Sequence, residues 1–118
     1  MTHQAPLPPA SPGAGPGGQV AQLREALRLV EQLADRPPSG GQDEALDEAA
    51  RLSAAYDRAA PVARRRFDAL AAETSIWAAA GVEALLAAND AAEPPRRAAG
   101  RLAEAIEEAL GDLSELLD

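Results

Sequence analysis

Cysteine is absent from the chain, and histidine occurs once, at His3. The first gap excludes disulfides, thiolate metal sites and cysteine nucleophiles; the second leaves no histidine inside a folded domain for a triad, a zinc site or phosphotransfer. Lysine is missing too, so all eleven basic residues are arginine. Coding bias explains that more simply than selection for bidentate anion binding. Aromatic side chains are limited to Tyr56, Phe67 and Trp77, too few and too scattered to stack nucleic-acid bases. Bulky aliphatic residues are also scarce. Leu, Ile, Val and Phe together number 22 of 118, against thirty alanines.

With a net charge of −8, that composition lies at the edge where a chain fails to bury enough apolar surface to fold. Alanine is the best helix former but contributes little burial, so the expectation is one small domain whose helices form readily around a thin core. The missing burial would come from a protein partner or from a second copy, making a homo-oligomer. An acidic chain repels phosphate backbones, so no nucleic acid is expected. No stretch approaches the roughly 18 apolar residues that span a bilayer, and the N-terminus lacks the basic and apolar regions of a secretory signal. No membrane association and a cytoplasmic location are therefore expected.

Residues 1–18 carry Pro6, Pro8, Pro9, Pro12 and Pro16 among four glycines and are predicted to be a disordered tail; its P-x-x-P spacings match polyproline recognition motifs less well than they match a passive leader. The helical bundle domain is predicted over 19–118. Helix one, 19–35, places Val20, Leu23, Leu27, Val30 and Ala34 at alternating steps of three and four, with Leu29 and Leu33 widening the stripe. A linker at 36–42 holds Pro37 and Pro38, which cannot continue a helix. Helix two, 43–59, has carboxylates in its first turns, favourable at the positive end of the helix dipole, and a weak apolar stripe of Ala45, Ala49, Leu52, Tyr56 and Ala59. Pro61 is read as the first residue of helix three after a break at Ala59 and Ala60. Helix three, 61–88, aligns Phe67, Leu70, Thr74, Trp77, Gly81, Leu85 and Ala88, broadened by Ile76, Val82 and Leu86. Asn89 suits a left-handed position after it. Helix four, 94–117, has the cleanest seam, Ala99, Leu102, Ile106, Ala109, Leu113 and Leu116, in phase across Gly111. Helices three and four form a long antiparallel hairpin.

Arg64, Arg65 and Arg66 stand at a helix start, where cations sit poorly. The hairpin register places them beside Asp112, Glu115 and Asp118 at the end of helix four, so neutralisation within the hairpin or a solvated face is expected ahead of a protein-partner contact. Trp77 is read as core or as an interface anchor, since tryptophan is enriched at binding hot spots; the small residues after it, Ala78 to Gly81 and Ala84, would let another helix approach closely. The carboxylates of helix four read as a solvated face, because nothing encloses a pair for acid–base work. The glycines border prolines with no strand before them, so no phosphate loop is present.

The predicted fold is all-α: an antiparallel bundle of three to four helices, built on the long hairpin and led by the Pro/Gly-rich tail. No catalytic, cofactor-binding or metal-ligating residue is assigned, no cofactor is expected, and the protein is not expected to be an enzyme. The predicted role is a non-enzymatic protein–protein interaction or self-assembling module, with Arg64, Arg65, Arg66, Trp77, Leu85 and Leu86 as candidate interaction residues. The alternative is an acidic inhibitor or nucleic-acid mimic that occupies a basic protein surface.

Overall fold

The computed structural model describes residues 15–38, 40–88 and 95–118. Four helices make it up: α1 (Gly15–Leu33), α2 (Gln42–Arg58), α3 (Pro61–Ala87) and α4 (Pro95–Leu117). The all-α antiparallel bundle is as predicted. Residues 1–14 of the predicted tail, Asn89 and the α3–α4 turn lie outside the described residues. One boundary needs correction: residues 15–18, assigned to the tail, form the first turn of α1. Pro16 costs nothing there, because the N–H it lacks has no partner in a first helical turn. Gly17 lies so close to α2 that an added Cβ would come within 3.1 Å of the Ala49 carbonyl oxygen, so this turn is docked.

α1 and α4 form the centre of the bundle. Each packs against the other and against α3, and α2 lies on α1 with a lighter contact to α4. The core is the seam that the sequence predicts on α1, Val20, Leu23, Leu27, Val30 and Ala34, closed by Phe67, Ala71, Ala78 and Leu85 of α3 and by Ala99, Ala103, Ile106, Leu110 and Leu113 of α4. Leu52 is the one residue that α2 contributes to this fully buried set. The thin stripe of α2 thus gives a thin attachment, reinforced by a two-pronged ion pair. Arg24 Nε and Nη2 donate to Glu48 Oε1 and Oε2 at 2.7 and 2.8 Å. That fork holds the Arg24 guanidinium even more firmly protonated than usual, against the opposing effect of its partial burial.

Four side chains depart from the predicted stripes. Leu29 is exposed on α1, while Glu31, one turn past Leu27, is buried at 3% exposure. On α3, Ile76 and Leu86 do not broaden the buried stripe but face solvent. The inner line of α3 runs instead through Phe67, Ala71, Thr74, Ala78, Gly81 and Leu85, and an added Cβ at Gly81 would come within 2.8 Å of a Leu102 methyl. The helices meet on their smallest residues because those permit the closest approach of the axes. Thr74 sits in this line fully buried, and its hydroxyl has no hydrogen-bond partner among the described residues.

Gly111 lies mid-helix in α4, exposed, with open space where a Cβ would stand. Gly111→Ala is expected to raise unfolding stability by about 0.5–1 kcal/mol, read as an increase in the denaturant midpoint at unchanged slope.

Candidate functional site

The turn between α2 and α3 is a built corner. Ala59 and Ala60 are both extended, at φ −78°, ψ 155° and φ −67°, ψ 154°, and Pro61 then opens α3. Arg64 reaches back across this corner. Its Nε donates to the Tyr56 carbonyl oxygen at 3.0 Å and its Nη2 to the Asp57 carbonyl oxygen at 2.8 Å, while the guanidinium lies 5.7 Å from the centre of the Tyr56 ring. A cation badly placed at the positive end of α3 is well placed at the negative end of α2. Tyr56 completes the corner. Its ring meets Phe67 edge-on at 5.6 Å, and its hydroxyl donates to Asp68 at 2.9 Å.

The predicted pairing of the arginine run with the end of α4 is therefore corrected. Arg64 is committed to the α2 carbonyls. Arg65 and Arg66 are exposed, and among the described residues neither is in ion-pair reach of a carboxylate. Antiparallel register fixes which levels of α3 and α4 lie side by side but not which way each side chain turns about its helix.

The remaining candidates divide between the two sides of α3. Trp77 is half-buried and packs against the core, and Leu85 is part of it at 7% exposure. Leu86 is 52% exposed; with it on the solvent side stand Val62 at 47% and Ile76 at 72%. Arg65 and Arg66 are exposed as well; helical spacing puts Arg65 on the side of Val62, Ile76 and Leu86 and turns Arg66 away from Leu86, whereas Arg64, Trp77 and Leu85 are partly or wholly covered. Val62 and Ile76 were missed as candidates. Their signal was available, because α3 is apolar on nearly all sides and a helix in a small bundle can bury only one of them.

Among the described residues α3 is the one helix long and apolar enough, by length and composition, to cross a membrane, and 22% of its most apolar 18-residue window is buried. Alanine builds that window, which also carries Glu73 and Glu83; the expectation that no stretch comes near spanning length gave alanine too little weight.

Two of the open concavities among the described residues carry several charged side chains. One, of about 230 Å³ between α1 and α2, is lined by Arg24, Arg28, Glu31, Glu44, Glu48 and Arg51. The other, of about 730 Å³, lies where the end of α1 meets the start of α4 and is lined by Ala34, Arg36, Pro95, Arg96, Arg97 and Gly100. The charges of the first include the Arg24–Glu48 fork, and Arg36 of the second approaches Glu107 at 3.8 Å. Among the described residues no group of three His, Cys, Asp or Glu side chains could hold a metal ion. The chain matches no family model, no curated protein and no solved structure.

Arg64→Ala removes two charge-assisted hydrogen bonds and a ring contact from a partly exposed corner, and is expected to cost about 1–2 kcal/mol of stability. In dilute solution Arg65→Ala and Arg66→Ala should each stay within about 0.5 kcal/mol of the parent, all three measured by urea unfolding. The hydrogen bond to Asp68 raises the Tyr56 pKa, with lost hydration and the Asp68 charge acting the same way and Arg64 opposing. A raised folded-state pKa means that the contribution of this contact is complete below the pKa of tyrosine in the unfolded chain, and is lost as pH rises through the folded-state value. Alkaline titration of phenolate absorbance should show a lower midpoint in Asp68→Ala than in the parent; an unchanged midpoint would contradict the contact.

Proposed function

We propose that this chain is a non-enzymatic helical interaction module of the cytoplasm that engages a protein surface through the solvent side of α3. One observation carries the reading: three large aliphatic side chains, Val62, Ile76 and Leu86, stand exposed at 47%, 72% and 52% along a single helix of a protein with few such residues to spare. Leaving them in water forgoes burial that the thin core needs, and covering them on binding recovers it. The residue inventory supports the non-enzymatic part, since the side-chain types that commonly carry catalysis are missing or unclustered. The net charge of −8 favours a protein over a nucleic acid as partner.

A second reading has its own observation. Glu104, Glu108, Asp112 and Glu115 of α4 are all exposed and follow one another on one helical side, a surface that could occupy a basic protein site as an inhibitor or nucleic-acid mimic. The first reading assigns binding to apolar contact on α3, the second to charge on α4.

A photo-cross-linking residue placed at position 76, with position 108 as the comparison, separates them in the native cell. Adducts from position 76 that form in that cell's lysate, irradiated at low and at high salt, are expected. Adducts that form only from position 108, and only at low salt, would favour the acidic surface, and no adduct from either would overturn both.

A further inference from the structure

We infer that the partner of the α3 surface is a second copy of this chain, bound antiparallel through the same surface of its own α3. This rests on the reading of α3 as the interaction surface. Opposite the inner line of α3, a second line runs along the helix in alternating steps of three and four: Val62, Arg65, Ala69, Ala72, Ile76, Ala79, Glu83 and Leu86. Every one of these positions is exposed. Steps of three and four keep a line of residues facing a partner helix over many turns, here for about 36 Å. α3 therefore carries two seams, one filled by α1 and α4 and one empty among the described residues.

The empty seam is self-complementary about its midpoint. Two copies laid antiparallel with their Thr74 levels aligned set Val62 against Leu86 of the other copy and Arg65 against Glu83. Ala69 then faces Ala79, and Ile76 falls opposite Ala72, a large side chain over a small one. A two-fold axis makes each pairing occur twice, the mark of an isologous interface. Parallel copies would instead oppose Arg65 to Arg65 and Glu83 to Glu83. Alanines in the line let the axes come close. The seam carries one arginine and one glutamate, so it is neutral on a chain of net charge −8; it is a surface on which two acidic copies can meet without like charges in contact.

A single pair of alanine-rich helices buries a modest area, so the association is weak and concentration-dependent. Sedimentation of the full chain from roughly 1 to 500 micromolar is expected to show a monomer–dimer equilibrium. Arg65→Glu and Glu83→Arg each create two like-charge contacts in the dimer, and each should weaken it about tenfold. An equimolar mixture of the two variants restores the opposite-charge contacts and should associate as a heterodimer; the double variant should pair with itself like the parent. Circular dichroism checks that these exposed substitutions leave the helices intact. A parent monomeric across the whole range, single swaps that dimerise like the parent, a mixture that fails to associate, or flotation with lipid vesicles in place of self-association would each overturn the pairing. A monomer that still gives adducts with other proteins from position 76 defeats self-pairing and leaves the broader reading of α3 standing; the absence of all adducts there defeats both.

Discussion

Where two helices meet across alanine or glycine, their backbones come close, yet each contact removes little apolar surface from water. That trade governs this protein. The contact of α1 with α2 at Gly17 and of α3 with α4 at Gly81 is as close as the atoms allow, while the bulk of the core comes from a short set of larger side chains led by Phe67, Leu27, Ile106 and Leu113. Such a core leaves little room for a second apolar layer. Polar devices then do part of the holding: the Arg24–Glu48 fork between α1 and α2, and Arg64 with Tyr56 at the α2–α3 corner.

The same constraint sets the character of α3. It is the longest helix and touches both central helices, but its inner line is mostly small, so it contributes length and close contact more than volume. The larger residues Val62, Ile76 and Leu86 remain outside. α3 has apolar residues on two opposite sides, and the described part of the bundle covers one of them. Arg64 matters here because it sets the direction in which α3 leaves α2. By turning onto the α2 carbonyls, it also leaves Arg65 and Arg66 to the outer surface.

Much of the architecture was legible in the chain. The three-and-four spacing of α1, the two prolines at 37 and 38 and the break before Pro61 each have one local physical cause, and each was readable as such. The start of α1 was misread because Gly17 looks like a tail residue until its contact with α2 is known. The site was less legible. Arg64, Arg65 and Arg66 are identical in sequence and differ in what lies beside them, and Leu85 and Leu86 differ only by the 100° that separates neighbours on a helix.

Composition and periodicity by themselves determined that this chain is helical, thinly cored and acidic, and where its helices stop, because propensity, proline geometry and the repeat of apolar residues act within a few turns. Only the tertiary structure decided which side of α3 is spent on the core. An alanine-rich helix offers nearly equal sides, and the choice depends on where α1 and α4 can approach most closely, a property of three helices together that no one segment encodes.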